Sequence, residues 1–244
     1  MARIGENIMI RLAVSGCQGR MGQRVTALAM ADKEFNVTAL LERAGASGTV
    51  EGIPISASND SLKGCDILIE FTTPEATINN LQACVKHGVK MVIGTTGLTD
   101  EQKAQIKKAS AKIPIVFSSN MSVGVNIFFK LAQMLSGKTP DNYSVKLVEA
   151  HHIHKKDAPS GTAKTIAEMI EKASSKKVAD IQSIREGEII GDHKVIFESG
   201  EDIITIDHHA KSRDIFAKGS LVAAKFLKNK KAGLFNMQDV LGLE

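Results

Sequence analysis

Tryptophan is absent from this chain of 244 residues, Tyr143 is its one tyrosine, and cysteine occurs three times. Without the larger aromatics, a platform for stacking nucleic-acid bases would rest on phenylalanine. Cys17, Cys65 and Cys84 are odd in number and widely spaced, which fits neither a disulfide framework nor a CxxC metal site, so they read as reduced thiols. Long apolar runs are also missing. The longest stretch without charge, Ile113 to Phe129, is interrupted by Pro114, Asn120, Gly124 and Asn126, and no membrane span is expected. Met1 to Asn7 lack an apolar signal-peptide core and a small-residue cleavage site, with Met9 as an alternative start, so a cytoplasmic location is expected. The formal net charge of +4 is spread along the chain, and Lys225, Lys228, Lys230 and Lys231 read as a solvated helix end. That excludes a concentrated nucleic-acid surface but suits a small anionic ligand.

With 43% hydrophobic and 24% charged residues, the composition is that of a globular protein with a sizeable core, and the length admits one large domain or two modest ones. No internal repeat or low-complexity tract interrupts it. The N-terminal half alternates apolar strands (Ile8 to Ser15, Asn36 to Leu41, Asp66 to Phe71, Lys90 to Ile93, Ile113 to Phe117) with helices. Thr99 with Gln102 forms a capping-box pair, and Pro74 suits a first helical turn. This alternation predicts an α/β fold: a Rossmann-type parallel sheet with helices on both faces. After Asn120 the rhythm changes. A helix from Val123 to Leu135, a strand from Val145 to Ala150, another helix, and strands near Ile181 to Ile184, Lys194 to Glu198 and Asp202 to Asp207 predict a smaller α+β domain on a mixed or antiparallel sheet. Ser199-Gly200 reads as a hairpin turn, and Ser220 to Leu227 as a helix.

Between the Val145 strand and its helix lies Glu149-Ala150-His151-His152-Ile153-His154-Lys155-Lys156-Asp157-Ala158-Pro159-Ser160-Gly161-Thr162. It joins acid/base side chains and cations to a helix start, on the kind of connection where active sites are built. The backbone N–H groups of Ser160, Gly161 and Thr162 lack intrahelical partners and lie at the positive end of the helix dipole, so they would hold a carboxylate or phosphate. A metal site is disfavoured, because His151 and His152 are neighbours on a strand end and point to opposite faces, and no thiol is near. Solvated loop histidines are the other reading.

Gly16-Cys17-Gln18-Gly19-Arg20-Met21-Gly22 follows the first strand and opens the first helix, the context in which a glycine loop holds a dinucleotide pyrophosphate. Its spacing is GxxGxxG, so Gln18 stands where the commoner GxGxxG fingerprint has its second glycine. Glu42 ends the second strand, where it can accept hydrogen bonds from the adenosine ribose. Arg43 beside it can meet a 2′-phosphate. Both NADH and NADPH are therefore expected to serve.

The segment from Glu149 to Thr162 fills every fixed position of E-A-H-H-x-x-K-x-D-A-P-S-G-T, and so resembles the signature of the dihydrodipicolinate reductase family. The glycine loop, Val92 to Gly97, Phe117 to Asn126, Ile206 to Arg213 and Gly233 to Met237 extend the resemblance over nearly the whole chain. One departure is a shorter connection before Ile184 to His193, where many members carry a longer loop that contributes to subunit contacts.

The resemblance implies an NAD(P)H-dependent reductase of lysine and diaminopimelate biosynthesis. It would pass a hydride to the cyclic imine dicarboxylate derived from 4-hydroxy-tetrahydrodipicolinate, giving tetrahydrodipicolinate. Residues 1–121 would bind the dinucleotide and residues 122–212 the substrate and neighbouring subunits, with residues 213–244 returning to the first domain. Cofactor contacts would come from Gly16, Cys17, Gln18, Gly19, Arg20, Met21, Glu42 and Arg43, and at the nicotinamide end from Gly94, Thr95, Thr96, Ser118, Ser119, Asn120 and Met121. His151 would be the acid and Lys155 a cation or second donor, with His152, Ser160, Gly161 and Thr162 on the carboxylates and no metal. A homotetramer with a small dianionic substrate, no nucleic acid and no membrane completes the expectation. Another two-domain nicotinamide dehydrogenase, or a regulator that senses NADH without chemistry, shares the N-terminal half but has no use for the full histidine segment.

Overall fold

A computed structural model describes residues 9–243 of the chain. The expected strand start at Ile8 and the Met1 to Asn7 segment lie outside the described residues. Among the described residues two compact units emerge, one from residues 9–121 with Phe216–Val240, the other from Ser122–Ile215 with residues 241–243. The chain re-enters the first unit at Phe216 rather than at Arg213, and from Leu241 it groups with the second.

The first unit opens with β1 (Ile10–Ser15), α1 (Arg20–Met30), β2 (Phe35–Leu41), β3 (Thr49–Val50) and β4 (Ile53–Ser56). A 3₁₀ turn at Asn59–Leu62 leads to β5 (Ile67–Glu70), α2 (Pro74–His87), β6 (Lys90–Ile93), α3 (Asp100–Ala109) and β7 (Pro114–Phe117). The second unit holds α4 (Val123–Lys138), β8 (Ser144–His151), α5 (Gly161–Ala173), β9 (Val178–Arg185), β10 (Asp192–Glu198) and β11 (Ile203–His209). Then α6 (Asp214–Leu227), β12 (Gly233–Phe235) and α7 (Met237–Leu241) follow. Among the described residues no helix is long and apolar enough to cross a membrane.

The large sheet runs β12-β7-β6-β5-β1-β2-β4-β3, parallel throughout except for the short β3–β4 pair. Its central strands are continuous apolar runs because helices cover both faces, and every residue of β5 is buried. Leu68, Met91, Ile93 and Ile115 pack with Leu81 and Cys84 of α2 and Ile106 of α3. Each such burial contributes about 1.5–3 kcal/mol. The helix ends follow local chemistry: Thr99 and Gln102 form the reciprocal capping box of α3, and Thr73 caps α2 ahead of Pro74. β3, β4 and β12 escape sequence reading because two to four partly exposed residues carry no periodic pattern.

In the second unit β11-β10-β8-β9 form a mixed sheet, antiparallel at β11–β10 and β10–β8 and parallel at β8–β9. Phe128, Phe129 and Ala132 of α4 and Ile166 and Ile170 of α5 cover one face of it, around the fully buried Phe197. The hairpin between β10 and β11 is a longer turn than Ser199-Gly200: the Ser199 N–H donates to the Asp202 carbonyl at 3.0 Å, and Asp202 lies before the strand rather than in it. Lys225 also departs from expectation. Its ammonium pairs with Asp32 at 2.8 Å and Glu34 at 2.5 Å, so it ties α6 to the turn between α1 and β2 instead of facing only water.

Candidate active site

In the first unit the connection from β1 to α1 is cramped enough to require glycine. Gly16 has a φ of +76°, and a Cβ there would lie 2.4 Å from the Phe71 carbonyl oxygen; one on Gly22 would lie 2.0 Å from the Gly16 carbonyl oxygen. The N–H groups of Gly16 and Cys17 donate to the Leu41 carbonyl at 2.9 and 3.2 Å, which fastens the loop to the end of β2. Glu42 then takes the Gln18 N–H on one carboxylate oxygen and the Arg43 N–H on the other, each at 3.0 Å. At the position where GxGxxG has its second glycine, the backbone N–H of Gln18 makes the contact.

Beside the loop lies a cavity of about 490 Å³ whose lining includes Gly16, Gly19, Glu42, Arg43, Thr72 and Asn80. Four of the expected cofactor residues thus share one cavity. Gly94, Thr95, Thr96 and Ser118, Ser119, Asn120 and Met121 lie outside its lining. Thr95 is nevertheless tied to it, because the N–H of Thr72, a lining residue, donates to Thr95 Oγ1 at 2.9 Å. Tight turns and a cavity of this size fit a bound dinucleotide.

Sequence reading overlooked Glu70, which ends β5 with no exposed surface. The hydroxyls of Thr72, Thr77 and Thr95 converge on its carboxyl, at 2.6 Å for Thr77 and 3.1 Å for Thr95. Burial pushes this carboxyl above the ordinary range, further than the three hydroxyl groups pull it down. It joins the turn after β5 to the turn after β6.

In the second unit the period of the strand decides the geometry. Glu149 and His151 are two apart on β8, share a face and are both buried. Glu149 Oε2 meets His151 Nδ1 at 2.5 Å, and Oε1 accepts the Ser160 N–H at 3.2 Å. Arg185, opposite His151 on β9, donates to both oxygens at 3.0 and 2.8 Å, and also to the Asp157 carbonyl at 2.5 Å. Burial pushes the Glu149 carboxyl up, but Arg185, Ser183 and His151 outweigh it and hold it below the ordinary range. His151 is lowered, chiefly by burial; Glu149 opposes the shift, while Lys155 and Arg185 add to it.

Of the expected site residues, His151 and Ser160 are thus brought onto one carboxylate. Ser160 caps α5 by accepting the Ala163 N–H at 3.1 Å, which leaves Gly161 and Thr162 in the first helical turn. Lys155 pairs with Asp157 at 2.8 Å, and its N–H donates to the His152 carbonyl at 3.1 Å. The His152 ring lies 6.1 Å from that of His154, which is exposed. Glu149, Arg185 and His193 received no role from the sequence. His193 stands edge-on to His151, with ring centroids 5.3 Å apart, and burial pushes it down to about 3. Strand alternation was the signal that could have exposed Glu149; the pairing of β8 with β9, which brings in Arg185, had none.

A doubly wound sheet with a glycine loop and a strand-end acid, followed by an α+β unit carrying a buried imidazole, defines a two-unit pyridine-nucleotide oxidoreductase. The chain belongs to the dihydrodipicolinate reductase family: residues 10–121 match the model for the N-terminus of dihydrodipicolinate reductase, and residues 124–241 match the model for its C-terminus. It is 40% identical to the 4-hydroxy-tetrahydrodipicolinate reductase of Nitrosomonas europaea over 96% of this chain and 98% of that one. The Pelagibacter ubique reductase is 40% identical over 95% and 98% of the two chains. In fold it resembles a dipicolinate-bound dihydrodipicolinate reductase from Paenisporosarcina sp., with a TM-score of 0.81 at 24% identity over 95% of this chain and 99% of that chain. The protein is accordingly an oxidoreductase of lysine and diaminopimelate biosynthesis.

Glu70 generates a prediction. Its folded form holds a proton more tightly than the unfolded chain, so its contribution is full below the unfolded glutamate value of about 4.3 and is lost as pH rises through the folded one. Glu70→Leu, which leaves the threonine hydroxyls without that partner, should cost about 1–3 kcal/mol per unmade bond. Urea midpoints measured against pH should show the parent losing stability relative to Glu70→Gln as pH rises; parallel profiles would mean that Glu70 carries no retained proton.

Proposed function

We propose that the second unit binds the cyclic imine dicarboxylate derived from 4-hydroxy-tetrahydrodipicolinate at His151, His152, Lys155 and the start of α5, and that the first unit holds the reductant beside the Gly16 loop. The observation that carries this reading is the single buried carboxylate of Glu149, bonded to both His151 and the N-cap residue Ser160. It ties an acid to an anion-binding helix start at fixed spacing, which is what protonating a dicarboxylate requires. Reduced pyridine nucleotide supplies the hydride when bound.

The Nδ1–H of His151 donates to Glu149, so Nε2 is the atom that delivers the proton. Lys155 offsets the negative charge that builds on the ring, and Asp157 holds it in place. The N–H groups of Gly161 and Thr162, with His152, hold the carboxylates, while Ser160, whose own N–H is taken by Glu149, sets the helix start that presents them. Gly16, Cys17, Gln18, Gly19, Arg20 and Met21 cradle the pyrophosphate, and Gly94, Thr95, Thr96, Ser118, Ser119, Asn120 and Met121 serve the nicotinamide end. Glu42, whose carboxylate already takes two backbone N–H groups, keeps acceptor capacity for the ribose. Arg43 lines both the main cavity and a second, of about 500 Å³, with Gln18 and Ala44 to Ser47, which supports a 2′-phosphate seat there. NADH and NADPH both serve, NADH at least as well. The active species is a cytoplasmic homotetramer, a reading supported by the family resemblance.

His151→Gln and Lys155→Ala should each lower kcat by about 10²–10⁴-fold with little change in NADH affinity. Stopped-flow turnover together with NADH titration checks this, and near-normal turnover in both variants would remove them from the chemistry. Arg43→Ala should reduce kcat/KM selectively for NADPH. Steady-state rates with the two cofactors decide it: an equal loss for both would show that Arg43 does not read the phosphate.

A further inference from the structure

We infer that His151 is uncharged in the resting enzyme and takes up its catalytic proton from solvent, on Nε2, when the dianionic ligand binds. This rests on the assignment of the dicarboxylate site above and adds to it the origin of the proton. The charged groups acting on the imidazole come from the elements around it: Glu149 on β8, Arg185 on β9, and Lys155 on the connection before α5, where Asp157 pairs with that lysine. Two are cations and two are anions, so they cancel. His193 on β10, pushed down to about 3 by burial, adds no charge. An imidazolium at His151, only 8% exposed, would therefore be a buried charge without a counter-charge of its own.

The hydrogen bonds show why Glu149 alone does not charge the imidazole. Its carboxylate is shared: Arg185 engages both oxygens, Ser160 N–H takes one, and His151 meets the other alongside Arg185. Charge on that carboxylate is largely neutralised by the guanidinium before the imidazole draws on it. In the neutral ring Nδ1 carries the hydrogen donated to Glu149, so Nε2 has a lone pair. A dicarboxylate arriving at α5 brings two negative charges and no cation. Protonation of Nε2 then offsets one of them, and the imidazolium keeps its Nδ1–H bond to Glu149. No bond to carbon forms or breaks in this step: a proton leaves solvent or buffer and adds to Nε2. The acid would thus be loaded only when its substrate is in place.

Titration calorimetry on the full chain saturated with NADH, using pyridine-2,6-dicarboxylate in buffers of different ionisation enthalpy, reads the protons absorbed per ligand bound. Uptake should approach about one proton near neutral pH and fall away on both sides, at acid pH because His151 is already charged and at alkaline pH because the complex no longer retains the proton. His151→Gln should bind the dicarboxylate without the uptake. Glu149→Gln should shift the uptake window to lower pH, because Glu149 raises the affinity of the imidazole for protons. Binding with no uptake at any pH, or unchanged uptake in His151→Gln, overturns the inference and leaves the site assignment standing. Failure of the dicarboxylate to bind at all would overturn that assignment, and this inference with it.

Discussion

The second unit depends on an ionised carboxylate with no exposed surface. Glu149 accepts from Arg185 twice, from His151 and from the N-cap residue of α5. Removing a charge from water costs several kcal/mol unless it is paired and its lone pairs are filled, and here all four contacts fill them. The arrangement then sets positions rather than adding stability. β8 cannot slide against β9 without separating Glu149 from Arg185, and α5 cannot rotate without losing the Ser160 contact. Arg185 extends the same constraint to the Asp157 carbonyl, and so to the connection that carries Lys155.

The first unit uses a different device for a similar end. Its loop is shaped by exclusion, since a side chain at Gly16 or Gly22 would occupy the space of backbone atoms. Glu42 and Leu41 then anchor the loop's N–H groups to the end of β2. At the neighbouring strand end, Glu70 gathers three threonine hydroxyls without any cation. Two buried glutamates thus take opposite electrostatic paths: burial prevails at Glu70, and Arg185 with its companions prevails at Glu149. Local partners, not residue type, decide which way each carboxyl shifts.

Much was legible in the linear chain. Apolar runs marked the central parallel strands, because strands covered on both faces have no polar alternation, and Pro74, Thr99 and Gln102 marked helix starts because capping is local. The segment from Glu149 to Thr162 carried the family resemblance, and the family matches bear it out. β3, β4 and β12 stayed hidden because, unlike the equally short but buried β5 and β6, they are partly exposed and carry no continuous apolar run. Lys225 was misread as solvated because its partners, Asp32 and Glu34, lie far away along the chain.

The sequence by itself determined the order of elements, the glycine loop, the helix start at Ser160 and the shared face of Glu149 and His151, all of which follow from local sterics and a period of two. Only the tertiary structure decided that Arg185 and His193 join His151, and that Glu70 collects Thr72, Thr77 and Thr95. Those groups are assembled by strand pairing and by turns meeting in space. Their charge states depend on burial and on who their neighbours are, and neither is encoded in spacing along the chain.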